Sequence, residues 1–513
     1  MNENKRTSTE LPPYSESIWH ATTPLPEFPP LAEDVSVDVA VVGAGISGLT
    51  TAFLLAKEGL RVTVLEARKI LDGTTGNTTA KITAQHELIY DKLISTFGEE
   101  QARLYYEANE GALRFIRELV RDHGIDCQLT EEAAYVYGQA ESSLQTLKKE
   151  FEAYEKLRIP GEWVERIPLP ITTCGAIRLK EQAQFHPLSY LKFILNELVR
   201  MGVTIYEHTT VAEVQEGTPI RLSTQDQHTI TCDHLVVATH FPFYDPGMYF
   251  ARLHPSRSYA IAIKPETTYE GGMFISMDEP KRSFRSVMHN DEQLVIVGGG
   301  GHKTGQGGCT LSYYEQLEQY AGGLLGIRKI LFRWSAQDLI TLDNVPYIGQ
   351  ITEDKENIWV ATGFAKWGMT SGTLAGQMIS SQILGRETPY KDVFTPSRFK
   401  GTTSVTTLVS ENANVAKELI TGKMSLGNKN IEDLQKNEGA VVGLNGKRAG
   451  AYRDEEDRLH VVDTTCTHMG CELEWNAGER SWDCPCHGSR FNFDGKVIEG
   501  PAMKDLTPLN PEQ

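Results

Sequence analysis

Residues 37–67 read VDVAVVGAGISGLTTAFLLAKEGLRVTVLEA, and this stretch decides the fold. An apolar run is followed at once by a glycine-rich turn, a helical segment and a second apolar run that ends in an acidic residue. In chain order these parts are Val37–Val42, Gly43–Gly48, Leu49–Lys57, Arg61–Leu65 and Glu66. A lone Gly-x-Gly-x-x-Gly is a weak signal, but the whole succession predicts a parallel βαβ unit that binds a dinucleotide.

The glycines and the acid have separate chemical roles in such a unit. Gly43, Gly45 and Gly48 let the backbone approach a pyrophosphate at the helix N-terminus, where free N–H groups and the helix dipole favour anions. Glu66 can accept hydrogen bonds from both hydroxyls of an adenosine ribose. A glycine turn in an ordinary α/β unit is the alternative interpretation, and the fingerprint alone does not distinguish NAD from FAD.

Three further stretches favour FAD. They are Arg68–Thr79, which contains GTTGNTT at 73–79, Trp334–Gly349 and Ile358–Gly376. They resemble the loop beneath the isoalloxazine and the C-terminal flavin motif of the D-amino-acid oxidase and glycine/sarcosine oxidase family. The resemblance covers residues of about 35 to 395 and implies an FAD-dependent oxidoreductase. The residues assigned to FAD in this way are Gly43, Gly45, Gly48, Glu66, Arg68, Thr75, Val211, Gly363, Gly368, Met369 and Thr370.

The downstream motif also has a physical rationale. Thr362-Gly363 ends a predicted strand, and Gly368-Met369-Thr370 opens a helix. The N-terminus of that helix would direct positive charge toward the pyrimidine edge of the flavin, where a two-electron-reduced flavin carries its negative charge. His86 follows the loop beneath the flavin, but its surroundings do not match those of relatives with a covalent histidyl flavin. We therefore expect noncovalent binding.

The same resemblance implies oxidation of a C–N bond next to a carboxylate or in a polyamine chain. A substrate carboxylate favours an arginine fork, and Arg257 and Arg285 lie in segments predicted to cover the flavin. Tyr259, His302 and Lys366 are the other candidates. Each has an ordinary alternative, such as a structural arginine or a solvated loop histidine, so the sequence leaves the catalytic residues unassigned.

Residues 466–489, CTHMGCELEWNAGERSWDCPCHGS, form a second site pattern. Two loops each provide one cysteine and one histidine, Cys466-x-His468 and Cys484-x-x-His487, with fifteen residues between the pairs. A 2Fe–2S cluster with two imidazoles on one iron uses such a set, and a Cys2His2 zinc site is the alternative. The cysteines that a zinc site would not need are Cys471 and Cys486.

From about Asn430 to Leu506 the chain resembles the disulfide-bearing Rieske proteins of cytochrome bc-type complexes. By this resemblance the cysteines bind one iron and the histidines the other. The implied ligands are Cys466, Cys484, His468 and His487, and the implied disulfide joins Cys471 and Cys486. Ser489 matches a hydroxyl donor to a bridging sulfur, and Gly500–Ala502 matches the proline loop that shields the cluster. Phe491 stands where a second hydroxyl donor is usual, and losing that donor should lower the potential.

Composition limits the partners and the compartment. At 513 residues the chain is too long for one core, and a net charge of −18 speaks against nucleic acid and an anionic membrane surface as partners. No apolar run approaches the ~20 residues of a spanning helix, and the N-terminus lacks the apolar core of a signal peptide. We therefore expect a cytoplasmic protein whose scattered cysteines are buried thiols. These are Cys127, Cys174, Cys232 and Cys309.

Together these observations predict an α/β fold class. A Rossmann-type FAD-binding domain is interleaved with an α+β substrate domain, and a small all-β Rieske domain follows at the C-terminus. The predicted boundaries are 1–35 for an extended N-terminal arm; 36–395 for the oxidoreductase, with FAD-binding parts 36–89, 166–244 and 331–395 and substrate-domain parts 90–165 and 245–330; 396–429 for a linker; and 430–513 for the Rieske domain.

The two sites in one chain predict an electron relay. A flavin accepts two electrons as a hydride, whereas a 2Fe–2S cluster accepts one at a time. We expect electrons to pass from an amine or amino-acid substrate to FAD, then to the cluster and then to an external acceptor, which is a protein or a quinone-like molecule. The exit would be the exposed edges of His468 and His487, which would face solvent or a docking partner. A non-catalytic redox carrier or sensor is the alternative. A Rieske oxygenase is disfavoured because only 26 residues follow His487 to hold its second iron.

Overall fold

The computed structural model describes residues 11–398, 402–424, 427, 429–444 and 446–510. Parts of the predicted arm (1–10), of the predicted linker (399–401, 425, 426 and 428) and of the Rieske domain (445 and 511–513) lie outside the described residues. The helices are α1 (Ile18–Thr22), α2 (Ile46–Lys57), α3 (Tyr90–Phe97), α4 (Glu99–His123), α5 (Leu144–Leu157), α6 (Pro187–Arg200), α7 (Leu311–Leu325), α8 (Gly368–Ile383), α9 (Lys391–Phe394) and α10 (Thr402–Met424).

The strands fall into an N-terminal set that builds two large sheets and a C-terminal set that builds two small ones. The N-terminal strands are β1 (Val35–Val42), β2 (Val62–Leu65), β3 (Lys81–Ile82), β4 (Thr130–Gly138), β5 (Gly161–Val164), β6 (Gly175–Gln184), β7 (Thr204–Tyr206), β8 (Val211–Gln215), β9 (Ile220–Thr224), β10 (Thr229–Val237), β11 (Leu253–Pro265), β12 (Met273–Ser276), β13 (Arg282–His289), β14 (Glu292–Lys303), β15 (Ile327–Thr341), β16 (Tyr347–Gln350) and β17 (Ile358–Thr362). The C-terminal strands are β18 (Glu438–Leu444), β19 (Lys447–Arg453), β20 (Leu459–Asp463), β21 (Glu474–Asn476), β22 (Ser481–Asp483), β23 (Arg490–Asn492) and β24 (Val497–Glu499).

The first sheet has the order β16-β17-β10-β1-β2-β7, with β9 added to β10 and β8 to β9. Its central strands β17, β10, β1, β2 and β7 run parallel, which fits their almost continuous apolar sequences because both faces of such a sheet are covered. Helices α2 and α8 pack closely, since a Cβ at Gly372 would lie 2.7 Å from Ile46 Cγ2 and one at Gly376 2.6 Å from Thr50 Cγ2. This packing brings the N-termini of both helices to one edge of the sheet.

The second sheet has the order β15-β11-β14-β13-β12-β4-β6-β3, with β5 added to β6. It takes in β3, β6 and all of β15, although the predicted boundaries put residues 81–82, 175–184 and 331–341 in the FAD-binding domain. The difference arises because these strands pair with partners far away in sequence, as β15 does with β11. The predicted α/β fold class with an interleaved α+β part is confirmed.

The N-terminal arm and the linker are more helical than predicted. The arm contains α1, and Trp19 donates its indole N–H to the carbonyl oxygen of Thr78 at 2.7 Å. Ser17 donates to the carbonyl oxygen of Gly76 at 2.6 Å, so the arm fastens the loop at 73–79. Helix α10 fills most of the predicted linker.

The C-terminal domain is all β, as predicted. It has a three-stranded sheet, β18-β19-β20, and a four-stranded sheet, β21-β22-β23-β24. Both sequence loops at 466–471 and 484–489 connect strands at one end of this domain. None of the described helices has the length and apolar character needed to cross a membrane. Of the scattered cysteines, Cys127 and Cys232 are buried and Cys174 is half-buried, but Cys309 is exposed, so the expectation was wrong for Cys309.

Candidate functional site

A cavity of about 650 Å³ lies where the two large sheets meet the C-terminal domain. This volume is in the range of cofactor pockets. Its wall is built from residues 43–47, 65–68, most of 73–79, 364–369 and, from the C-terminal domain, 497–503. The regions predicted to bind FAD and to shield the cluster therefore share one cavity.

Glu66 and the glycine turn shape one end of the cavity. The two carboxylate oxygens of Glu66 accept the backbone N–H groups of Ala44 and Arg68, each at 3.0 Å, and burial raises the pKa of Glu66. Each oxygen keeps a free lone pair, so ribose hydroxyls can still bind. A Cβ at Gly48 would lie 1.9 Å from the carbonyl oxygen of Gly43, which explains the glycine at this position.

Thr75 joins the loop at 73–79 to the N-terminus of α2, because its hydroxyl accepts the backbone N–H of Ile46 at 3.2 Å. Most of the FAD residues expected from the sequence line the cavity. These are Gly43, Gly45, Glu66, Arg68, Thr75, Val211, Gly368 and Met369. The three that do not form part of its wall are Gly48, Gly363 and Thr370.

Lys366 lines the cavity as an ion pair with Asp338, with 3.1 Å between Nζ and Oδ2. Burial raises the pKa of Asp338, and the ammonium of Lys366 opposes this shift. Burial also disfavours the charged form of Lys366, but the Asp338 carboxylate outweighs it and raises the pKa of Lys366. The charge of Lys366 is thus balanced within the wall, beside the N-terminus of α8 at Gly368.

His86 is held behind the wall. Its Nδ1 lies 2.7 Å from the hydroxyl of Tyr105 and its Nε2 2.8 Å from the carbonyl oxygen of Thr83. The ring stacks on Trp367 with 4.7 Å between ring centres, and burial lowers the pKa of His86 to about 3. Both ring nitrogens are therefore engaged, and the geometry gives no support to a covalent link at His86.

The direction of side chains on the second sheet separates the substrate candidates, because successive residues of a strand point to opposite faces. Tyr259 borders the cavity, but its ring stacks on Tyr313 of α7, with 5.1 Å between ring centres. Its hydroxyl lies 3.0 Å from Nε2 of His302, which also stacks on Tyr313. Tyr259 and His302 thus belong to an aromatic stack on the α7 face.

The two arginine candidates do not line the cavity. Arg257 donates to the hydroxyl of Ser335 at 2.6 Å and to Glu499 at 3.0 Å. Arg285 donates to the backbone carbonyl oxygens of Ala80 at 2.8 Å and of Phe185 at 3.1 Å. Both guanidinium groups are buried and committed to protein partners, so the expectation of an arginine fork over the flavin is not supported at either residue.

Several polar residues of the cavity wall were missed by the sequence reasoning. They are Lys81, Glu87, Lys281 and Ser283, and Glu87 forms an ion pair with Lys281. Lys81 follows the loop that resembles the flavin family, which was the one available signal. The other three are ordinary surface residues in the sequence, and only long-range strand pairing brings them together.

The cysteine side chains of the two C-terminal loops lie close together. The sulfur atoms of Cys471, Cys484 and Cys486 lie within 4.8 Å of one another, and the predicted disulfide joins Cys471 to Cys486. Neither bridged cysteine has a thiolate to offer a metal. The other two thiols, Cys466 and Cys484, are buried, and their mutual contact lowers the pKa of Cys466 to about 6.

His468 and His487 lie side by side, with 5.1 Å between ring centres. The Nδ1 atom of each is buried and has no hydrogen-bond partner among the described residues. A buried ring nitrogen without a partner is unfavourable, whereas a neutral imidazole nitrogen readily binds a metal. Two thiols and two such imidazoles fit the donor set of a 2Fe–2S cluster with mixed ligands.

Phe241 lies between the cavity and these histidines. It lines the cavity, and its ring centre is 6.2 Å from that of His468 and 6.5 Å from that of His487. The ring of Phe250 also packs against that of His487, with 6.1 Å between ring centres. His487 is only 2% exposed, so the expectation that both histidines present solvent-facing edges is wrong for His487. Its ring packs against the FAD-binding part of the chain instead.

Comparison with known proteins agrees with both halves of the site. Residues 38–382 match the family model "FAD dependent oxidoreductase", and residues 428–510 match "Rieske [2Fe-2S] domain". The Rieske 2Fe-2S iron-sulfur protein YhfW of Bacillus subtilis (strain 168) is 46% identical over 508 residues, which are 99% of each chain. Gamma-glutamylputrescine oxidoreductase of Escherichia coli (strain K12) is 24% identical over 70% of this chain and 86% of its own.

Solved structures share the fold of the larger part. Glycine oxidase from Geobacillus kaustophilus superposes with a TM-score of 0.59 and 18% identity over 72% of this chain and all (100%) of its own. L-proline dehydrogenase from P. horikoshii has a TM-score of 0.59 and 21% identity over 72% of this chain and 98% of its own. The chain therefore belongs to the FAD dependent oxidoreductase family, and it carries a C-terminal Rieske domain, so that its cofactors are FAD and a Rieske-type 2Fe–2S cluster.

Proposed function

We propose that this enzyme oxidises a C–N bond of an amino acid or amine and passes the electrons through the Rieske cluster to an external acceptor. The observation that carries the proposal is the shared wall: residues 497–503 of the Rieske domain line the flavin cavity, and Phe241 contacts that cavity and both histidines. An oxidase that gives its electrons to oxygen would have no use for a cluster in this position.

The iron ligands in this proposal follow the donor set of the C-terminal loops. Cys466 and Cys484 would bind one iron, and His468 and His487 would bind the other through Nδ1. The unpartnered Nδ1 atoms support this assignment. Ser489 is available as a donor to sulfur, and its hydroxyl accepts the backbone N–H of Ala502 at 3.0 Å, which ties the proline loop to the cluster loops.

The FAD contacts in this proposal are those residues of the expected set that line the cavity. FAD, when bound, accepts the hydride of the C–N bond. The N-termini of α2 and α8 border the cavity, and neither helix has a hydrogen bond from the side chain of its N-cap residue. Their first turns would therefore direct N–H groups toward the pyrophosphate and the reduced ring. Gly48 and Gly363 act from behind the wall, because a side chain at either position would collide with its neighbours. Thr370 acts there through its hydroxyl, which donates to the carbonyl oxygen of Trp367 at 3.3 Å at the start of α8.

The external acceptor would approach the remaining open side of the cluster. Met469, next to His468, is 51% exposed, whereas His487 is covered by Phe241 and Phe250. Electrons would therefore enter the cluster from the side of the two phenylalanines and leave past His468. A protein or a quinone-like molecule fits this role.

An anaerobic titration tests the function. The protein is mixed with D-amino acids, N-methyl amino acids, proline analogues and polyamines, and flavin absorbance is followed together with the EPR signal of the reduced Rieske cluster. We expect one class to bleach the flavin and then to produce the EPR signal. If none of these compounds bleaches the flavin, the result would favour a non-catalytic carrier or sensor.

The relay has its own control. Replacement of both cluster histidines, His468→Ala with His487→Ala, should abolish the cluster signal and leave flavin bleaching by the same donor. Oxygen reduction at the full wild-type rate in that variant would contradict the relay, because electrons would then leave the flavin without the cluster.

A further inference from the structure

The side-chain amine of Lys81 lies on the face of the second sheet that borders the flavin cavity. Lys81 lies on β3, where it pairs with Gln184 of β6, yet its Nζ donates to the carbonyl oxygen of Phe274 on β12 at 3.1 Å. Strands β6 and β4 lie between β3 and β12 in the sheet order, so the sheet must curve to bring β3 and β12 within reach of one lysine side chain. The same residue lines the cavity.

The surroundings of Lys81 disfavour its charged form. Within the described chain, Lys81 forms no ion pair, and Glu87, which interacts with it electrostatically, is already paired with Lys281. Arg285 donates to the carbonyl oxygen of Ala80, next to Lys81, and so holds a positive charge nearby. Burial and this charge lower the pKa of Lys81 to about 7, while Glu87 opposes the shift. A desolvated lysine beside a second cation is a known way to keep an amine basic and uncharged.

We propose that Lys81 is the proton acceptor for a protonated amine substrate. The uncharged Nζ takes one proton from the substrate ammonium, so that an N–H bond of the substrate breaks and an N–H bond on Lys81 forms. No electron moves in this step, and the substrate nitrogen regains the lone pair that oxidation of its C–N bond requires. The inference rests on the proposed function and narrows its substrate to an amine that arrives charged.

Residue type supports this role. An arginine at position 81 would remain protonated at any working pH and could only anchor an anion, whereas a lysine can give up its proton when buried. The other two lysines of the cavity wall are each paired with a carboxylate, Lys281 with Glu87 and Lys366 with Asp338. Lys81 is thus the lysine of the cavity wall that forms no ion pair within the described residues.

Titration of Lys81 in the cofactor-loaded protein is the first test. Lysines are converted to ¹³C-dimethyl-lysines, and the resonance of residue 81 is identified by its loss in Lys81→Arg. We expect a midpoint near 7. Lys281→Met should release Glu87 and move this midpoint upward by about one unit or more. A midpoint near ~10, the ordinary value for lysine, would overturn the proposal.

Kinetics provides the second test, with sarcosine, D-alanine and putrescine as probes of anaerobic flavin reduction. Lys81→Met should lower the reduction rate at about pH 7 by ~10²-fold or more and remove the rise of the rate with pH around the Lys81 midpoint. An unchanged pH profile in Lys81→Met would overturn the role of Lys81 alone. Failure of all three probes in the wild type, with FAD bound and the Lys81 midpoint near 7, would count against the proposed function and the proton-acceptor role together.

Discussion

Arg257 Nη2 and Glu499 Oε2 lie 3.0 Å apart across the boundary between the second sheet and the Rieske domain. The side chain of Arg257 is 1% exposed, and Glu499 borders the flavin cavity. Arg490 bonds both Asp483 and Glu499, at 3.1 and 3.3 Å, so that two arginines and two carboxylates form one buried network. Through Arg257 this network links the second sheet to the Rieske domain.

Arg257→Met should loosen the docking of the Rieske domain. The substitution leaves Glu499 and Asp483 with one cation instead of two, and breaking a buried pair from one side costs about 3–5 kcal/mol. Denaturant unfolding, with the Rieske absorbance and the flavin fluorescence as separate signals, measures the loss. Arg386→Met, which removes an exposed pair with Glu58, is the matched control and should change little. Equal effects of the two substitutions would contradict the docking role of Arg257.

Phe241 should govern how fast the cluster is reduced by the flavin of the same chain. Phe241→Leu keeps the site apolar but removes the ring that contacts His468 and His487. After photochemical reduction of the flavin, we expect the cluster EPR signal to appear more slowly than in the wild type, with an unchanged cluster potential. Phe243→Leu, which also alters the cavity wall, is the control. Equal rates in the two variants would show that the ring contacts of Phe241 are unimportant.

Helix α10 should protect the disulfide. Cys486 Sγ lies 4.0 Å from the carbonyl oxygen of Val415, and Asn412 of the same helix donates to the carbonyl oxygen of Ala251 at 3.0 Å. Asn412→Ala removes this attachment, so dithiothreitol should open the disulfide faster, as measured by alkylation and mass spectrometry. The exposed Ser410→Ala is the control.

Loss of the bridge itself should cost about 3 kcal/mol of unfolding free energy, because it closes a loop of 15 residues.

The sequence predicted the local parts of this molecule well and the long-range parts poorly. The strand, glycine turn and helix at 37–57 are encoded in consecutive residues, as is the loop that begins at Cys466, so both could be found. Arg257 and Tyr259 were expected over the flavin, but the face to which a strand residue points depends on what packs there. For both residues that face is covered, by the Rieske domain or by α7. Such packing is decided by segments distant in sequence, α7 for Tyr259 and the Rieske domain for Arg257.

Lys366→Met should destabilise the protein in a pH-dependent way. Without the ammonium of Lys366, the buried carboxylate of Asp338 loses its partner, and burial then raises the pKa of Asp338 further. An acid whose pKa is raised in the folded state is penalised only when it is ionised, so the penalty is absent below the pKa of the unfolded state, grows as the pH rises toward the raised pKa of the folded state and stays constant above it. The free energy of unfolding of the variant should therefore be lower than that of the wild type by ~3–5 kcal/mol at about pH 8 and by less at about pH 5. Lys366→Met combined with Asp338→Asn should remove the pH dependence of this loss, because neither member of the pair can then ionise. A loss independent of pH in the single variant would contradict a charged Asp338 in the cavity wall.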